Sequence, residues 1–306
     1  MEFIGPLTYA VPCFLAFILL ELTYSKSHDH DGHHDLYDWK DLAASFSVGF
    51  GSALLTPLVK LIGSIIIFSF VYELFNPIVE GVRTNIMGYA SFGYAWYIWL
   101  ICQFGDDLTY YWFHRGNHEV RFMWAGHISH HNSQYYNLGT ALRQGVGERV
   151  IKYFAWCPLA LLGFDPVMIV TMLSLSLIYQ YWIHTTAIDR MPRWYEFLLN
   201  TPSHHRVHHA SNIRYLDRNH GATLIIWDRL FGTFSDESTT EPVSYGLTAN
   251  IDNPTVLRSA FNEYSNMARD FSRATQWRDK LRYIFLAPGW SHDGPDKRSN
   301  TLRREA

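Results

Sequence analysis

The chain has 306 residues and a formal net charge of −3, which allows one large or two modest domains and lacks the basic excess that a nucleic-acid partner requires. Aromatic residues make up 16% of it, a fraction suited to side chains that sit at membrane interfaces. Its three cysteines, Cys13, Cys102 and Cys157, lie far apart in apolar stretches, which excludes a disulfide framework or a cysteine-based zinc site.

Residues 4–23 form an apolar run with one acidic residue, Glu21, near its end. At a rise of about 1.5 Å per residue it can cross a hydrocarbon layer of roughly 30 Å. The acidic start, Met1-Glu2-Phe3, lacks the basic region of a cleaved signal peptide, so the first helix is expected to stay in the mature protein. Residues 25–41 are polar and include His28, Asp29, His30, Asp31, His33 and His34, a connecting loop with the composition to take up a metal ion. Residues 42–75 are apolar but interrupted by Pro57, Lys60 and Gly63. They predict either one long helix or two short passes, because Pro57 cannot donate its backbone hydrogen bond.

Residues 89–113 form the next membrane candidate, residues 150–162 are short enough to lie at an interface, and residues 166–183 are nearly long enough to span. After Leu199 the chain turns polar, and residues 222–227 are too brief to cross. The expectation is an all-α integral membrane protein with four or five membrane-embedded helices and a histidine-rich helical cap. It divides into N-terminal membrane helices at 1–90, a di-metal region at 91–240 and an aqueous segment at 241–306. Arg115, Arg121, Arg143, Arg149, Arg190, Arg193, Arg206 and Arg214 flank the histidine segments, which places that side in the cytoplasm.

Four segments carry the chemistry. His114 and His118 are four apart, so on a helix they share a face. His127, His130 and His131 repeat that geometry, as do His205, His208 and His209, while His184 stands at the end of an apolar stretch. Imidazole suits iron and zinc, whereas magnesium or calcium would need oxygen donors that these motifs lack. One ion takes four to six ligands, so nine candidates imply two metals. His204 precedes the third cluster and points about 100 degrees away from His205 on a helix, as a hydrogen-bonding neighbour would.

A zinc hydrolase of the HExxH kind needs a glutamate after the first histidine, and Arg115 follows His114. No Gly-x-Ser-x-Gly elbow or glycine-rich phosphate loop is present either. Redox chemistry is therefore favoured. A saturated C–H bond offers acid–base side chains nothing to grip, whereas oxygen activated by iron attacks it, and ligands just beyond apolar helices would meet a lipid rising from the bilayer. Asp106 and Asp107 interrupt an apolar segment, where an unpaired charge is costly. Asp107 lies seven residues before His114 and shares its face, placed either to accept from a ligand histidine or to pair with Arg115 or Arg143. A metal-transporting membrane protein is the alternative of a different class, but transport calls for ligands near the bilayer midplane.

Residues 94–234 resemble the fatty acid hydroxylase/sterol desaturase superfamily and, within it, the alkylglycerol monooxygenases. The likeness rests on Asp107 to His118, Trp124 to His131, Tyr136 to Gln144, Gln180 to Thr185, Asn200 to His209, Asp217 to Gly221 and Trp227 to Phe234. It implies two iron ions held by His114, His118, His127, His130, His131, His184, His205, His208 and His209. It also implies O2 as oxidant, tetrahydrobiopterin or another electron donor such as a redox protein, and a membrane lipid substrate. The expected reaction is hydroxylation of the ether-bearing carbon of an alkylglycerol followed by ether cleavage, with sterol or fatty acyl hydroxylation or desaturation as the alternative. Asp107 and Asp228 are expected to tune the metals, and Arg143 or Gln144 to position a lipid head group or reductant. Two positions depart from the resemblance: Gln134 stands where an acidic residue is expected, and His220 where tyrosine is usual.

Overall fold

The computed structural model describes residues 6–28, 36–251 and 255–306. Of the histidine–aspartate loop singled out above, residues 29–34 lie outside the described residues. Helices dominate. Helix α1 spans Pro6–His28 and α2 spans Trp39–Lys60. The second continues through a π-helical stretch, Leu61–Phe68, into α3, Ser69–Phe75. The run from residue 39 to residue 75 is thus unbroken, and its winding loosens just after Pro57, as helices do where the ladder of hydrogen bonds must rearrange. A two-residue hairpin follows, Ile78–Val79 (β1) against Val82–Arg83 (β2). Its turn places both Glu80 and Gly81 at positive φ, the conformation that matches the twist of a tight hairpin.

Helices α4 (Trp96–Glu119) and α5 (Arg121–His131) are separated by a single extended residue, Val120. Next come α6 (Val146–Leu162) and α7 (Pro166–Trp182). The break between them is written locally. Gly163 takes a left-handed φ of 101° to end α6, and the Asp165 carboxylate accepts from the Val167 N–H at 2.8 Å to start α7. Short helices α8 (Arg193–Leu198), α9 (Pro202–His208) and α10 (Ile226–Phe231) precede the terminal α11 (Val256–Arg273), α12 (Trp277–Phe285) and α13 (Ser299–Glu305).

The main apolar core lies where α4, α6, α7 and the π-helical stretch meet, with Cys102, Trp156, Ala160, Met168 and Ile169 buried together with Phe68. Burial of each large apolar side chain contributes roughly 1.5–3 kcal/mol. The Trp156 indole donates to Asp106 at 2.6 Å, so one of the two carboxylates in the apolar part of α4 serves as a helix-to-helix anchor.

The outer face is apolar too. Phe46, Phe50, Leu54, Leu58, Ile62, Ile66, Phe70 and Leu74, each four residues from the next, are all exposed along α2, the π-helical stretch and α3. Among the described residues one helix, α1, is long and apolar enough by itself to cross a membrane, and α7 is a shorter apolar helix.

Candidate metal centre

The nine histidines arrive from four directions. His114 and His118 occupy the last turns of α4, and the sharp reversal at Val120 returns α5 so that His127, His130 and His131 face them. His184 lies two residues past the end of α7, and α9 with its C-cap supplies His205, His208 and His209. All nine are buried. They divide into two groups: ring nitrogens of His114, His118, His127, His131 and His208 lie within 4.8 Å of one another, and so do those of His130, His184, His205 and His209. The groups adjoin, since the rings of His131 and His209 stack at 4.3 Å.

Hydrogen bonds at the far nitrogens set the tautomers. Nδ1 of His114 donates to the carbonyl of His220 at 2.9 Å, that of His184 to the carbonyl of Gln180 at 2.7 Å, and that of His208 to the carbonyl of Arg218 at 2.8 Å. Nδ1 of His127 donates to Glu148 at 2.9 Å, and Nδ1 of His118 faces Asp217 at 3.4 Å. A neutral imidazole whose Nδ1 carries the proton presents a bare lone pair at Nε2.

Those lone pairs converge. Nε2 of His114 lies 3.1 Å from Nε2 of His127, and Nε2 of His205 lies 2.9 Å from Nε2 of His184. For His114 and His127, each protonated at Nδ1, two lone pairs at that distance repel with no proton left to bridge them, whereas Nδ1 of His205 has no partner and leaves that ring's tautomer open. The spacing matches two nitrogens bound at right angles to one ion through bonds of about 2.1 Å, which stand about 3.0 Å apart. Nε2 of His118, His208 and His209 is buried without a partner, a cost of about 1–3 kcal/mol per group that a cation would relieve. The residues therefore fit a pair of imidazole-bound metals.

Electrostatics agree with that fit. Burial first, then repulsion from neighbouring imidazoles, pushes protonation of His114, His131, His205, His208 and His209 well below the ordinary histidine value. Burial lowers His184 to about 4. Metals need the neutral form.

The other expected site residues are placed differently. The Asp107 carboxylate accepts from the Thr223 and Leu224 N–H groups at 2.8 and 3.1 Å and from the Trp227 indole at 2.8 Å. It pins the loop before α10 instead of touching an imidazole, and it pairs with neither Arg115 nor Arg143. Asp228 accepts from the His220 and Gly221 N–H groups, each at 2.7 Å, and from the Thr233 hydroxyl. It thereby fixes the backbone whose carbonyl orients His114, one step removed from the ring. Arg143 is buried and clamps Asp41 and Ser45 of α2, and the Gln144 amide donates to the Ala141 carbonyl. Neither turns to the histidines, because the loop after α5 must be tied to α2 before it can support them. His204 is buried with its ring against Phe234 at 5.4 Å and belongs to neither group.

Two residues beside the rings escaped the sequence reading, and a third, His220, stood out there only as a departure from the resemblance. Glu148 and Asp217 lie 21 and 99 positions from the histidines they meet, and no periodicity links them. His220 is fully buried, its ring 5.1 Å from His118 and 5.6 Å from His208, with both ring nitrogens unpartnered. Its solitary position in sequence carried no spacing signal.

Residues 99–233 match the family model for fatty acid hydroxylase. Alkylglycerol monooxygenase of Danio rerio is 37% identical over 94% of the chain, and that of Homo sapiens 38% over 94%. Alkylglycerol monooxygenase of Xenopus tropicalis is 44% identical over 65% of the chain and 43% of its own length. The chain spans 60% of the length of the zebrafish and human proteins. No solved structure matches it.

Proposed function

Because residues 99–233 form a domain of the fatty acid hydroxylase family, we propose that the chain is an O2-dependent di-iron lipid monooxygenase that hydroxylates the ether-linked carbon of alkylglycerols. The observation that carries the reading is the convergence of nine buried imidazoles into groups of five and four. The likeness to alkylglycerol monooxygenases over 94% of the chain supports the choice of ether lipid.

When bound, two iron ions would supply the activation of O2 that C–H hydroxylation requires. His114, His118, His127, His131 and His208 would hold one and His130, His184, His205 and His209 the other. The same imidazoles bind zinc. Glu148 and Asp217 would offset charge and hold two ligand rings in place, a role known to set metal affinity and electronic character. The nine side chains are buried, and a cavity of about 330 Å³ reaches His118, His131 and His208. A hydroxylated ether carbon is a hemiacetal, which separates into an aldehyde and a glycerol derivative without further help.

The exposed apolar row on α2 and α3, together with α1, supports an embedded position in the bilayer, since soluble surfaces rarely present contiguous apolar patches of such extent. In this reading the helices enter the membrane and the histidine cap faces the cytoplasm, where a reductant is at hand.

Purified iron-loaded protein given O2, tetrahydrobiopterin and a mixed lipid extract, followed by mass analysis, tests the proposal. Fatty aldehyde arising only from glyceryl ethers is expected, with two metals per chain. Oxygen insertion or new unsaturation in sterols or acyl chains would reassign the substrate, and one metal per chain would overturn the paired centre.

A further inference from the structure

Two short helices of the cap carry apolar side chains in the open. On α8, Trp194, Phe197 and Leu198 are three and four residues apart and share one face, with Trp194 68% and Phe197 60% exposed. On α10, Leu230 is 69% exposed with Phe231 beside it. The two helices are joined: the Ile225 N–H donates to the Leu198 carbonyl at 3.1 Å, and the Arg229 guanidinium lies over the Phe197 ring at 5.2 Å. Phe231 in turn meets Trp112 of α4, ring centres 4.9 Å apart. Tyr97, Ile101, Phe104 and Trp112 are exposed along α4, at spacings that keep them on one side of it. The apolar surface of α8 and α10 thus continues a lengthwise apolar side of α4, and the two join at Trp112, two residues before His114.

Beside that surface lies an open cleft of about 500 Å³ lined by Arg190, Arg193, Arg214 and Arg229. Arg214 is paired with Glu241 at 3.2 Å. Arg190 donates to the Glu237 carbonyl and Arg229 to the carbonyls of Glu196 and Phe197, so neither charge is neutralised. Arg193 has no carboxylate partner among the described residues. Three carboxylates share the lining. Glu237 is held by Arg206 at 2.7 Å, Glu196 accepts from the Met191 N–H and the Ser203 hydroxyl at 3.1 and 2.7 Å, and Asp236 is the third. Arg190, Arg193 and Arg229 against Glu196 and Asp236 leave one positive charge in excess, the complement of a single phosphodiester. A guanidinium fork matches phosphate oxygens, and exposed tryptophan and leucine beside arginine is the composition of a surface that lies among lipid headgroups.

Resting on the embedded position read above, we propose that the face of α8 and α10 lies in the headgroup layer of the bilayer and that the arginine cleft holds the phosphate of one bilayer phospholipid. The contact seats the cap on the membrane from outside the long helices. It holds the histidine groups at the boundary between hydrocarbon and water.

The test uses zinc-loaded full-length protein with Cys13 and Cys157 changed to serine, Cys102 being buried, in nanodiscs of phosphatidylcholine and phosphatidylglycerol. An environment-sensitive fluorophore is placed at I62C or at L230C. Nitroxides on the lipid headgroup are expected to quench the label at position 230 more than nitroxides deep in the acyl chain do, with the reverse order at position 62. Quenching at position 62 with none at 230 would overturn the seating of the cap. Quenching at neither would remove the embedded position, and this proposal with it. In detergent, native mass spectrometry is expected to show one dioctanoyl phosphatidylglycerol retained per chain and no dioctanoylglycerol, which lacks the phosphate. R190Q/R193Q, which alters two exposed side chains outside the metal centre, should weaken that retention about thirtyfold, about fivefold per arginine, while metal content and the quenching at position 62 stay at wild-type level. Wild-type retention in R190Q/R193Q, or equal retention of dioctanoylglycerol, would overturn the phosphate site. Binding of inorganic phosphate as tight as that of the phospholipid would give the cleft to a soluble anion and overturn the lipid occupant.

Discussion

Glu148 meets Nδ1 of His127 from the first turn of α6, both side chains almost wholly buried. A carboxylate in that place fixes the ring's tautomer and strengthens Nε2 as a donor. Glu148→Ala is expected to lower metal affinity at the five-histidine group by about 10–100-fold and leave the four-histidine group near wild type, read as the two phases of metal loss to a chelator. Equal loss from both groups, or none, would contradict it. Asp217 does for His118 what Glu148 does for His127 at a longer distance, and His118 and Ser299 hold its carboxyl below the usual range despite burial. Arg143 shows how residue type can mislead. A buried arginine beside a histidine cluster invites a role in binding substrate, yet its guanidinium is spent on Asp41 at 2.8 Å. Arg143→Ala should destabilise the fold by about 3 kcal/mol, since it strands a partly buried carboxylate, and should leave KM for the lipid unchanged. A shift in thermal unfolding midpoint without a shift in KM is the expected signature.

At the scale of elements, local chemistry wrote most boundaries. Gly163 and Asp165 end one helix and start the next, and a proline begins both α7 and α9. Pro57 left the middle of the 39–75 run open between one helix and two, because backbone chemistry at a proline permits a kink as readily as a stop. The structure resolves that choice in favour of one continuous run, which carries exposed apolar residues from Phe46 to Leu74. Replacing Leu54 and Ile62 by arginine should reduce the carbonate-resistant membrane fraction, each substitution costing about 2.5–3.5 kcal/mol if it faces hydrocarbon at mid-depth. Unchanged membrane retention would remove this face from the lipid boundary.

The whole molecule concentrates buried imidazoles, most of which resist protonation more than they would in water. His184, lowered to about 4 by burial, compares with about 6.5 in an unfolded chain. Above pH 6.5 both states are neutral and the group contributes nothing. Below it the unfolded chain binds a proton that the folded one refuses, so stability falls with pH until about 4, by about 1.4 kcal/mol per pH unit for each such histidine. Metal-free protein should therefore show an unfolding midpoint that is flat above pH 7 and drops steeply below 6.5, and zinc added at pH 7 should raise it. A midpoint indifferent to pH between 6.5 and 5 would mean the rings are not buried neutral.

The sequence by itself marked eight of the nine histidines that gather, because spacings of three and four along a helix are a local property with a 3.6-residue period, while His184 stood alone at the end of an apolar stretch. Apolar runs likewise marked the helices that carry them. Tertiary structure alone decided that neighbours His130 and His131 go to different groups, that Glu148 and Asp217 back the rings, and that Asp107 and Arg143 are consumed in holding loops and helices together. Each of these depends on contacts between residues 20 to 120 positions apart, and helical periodicity holds no memory over such a distance.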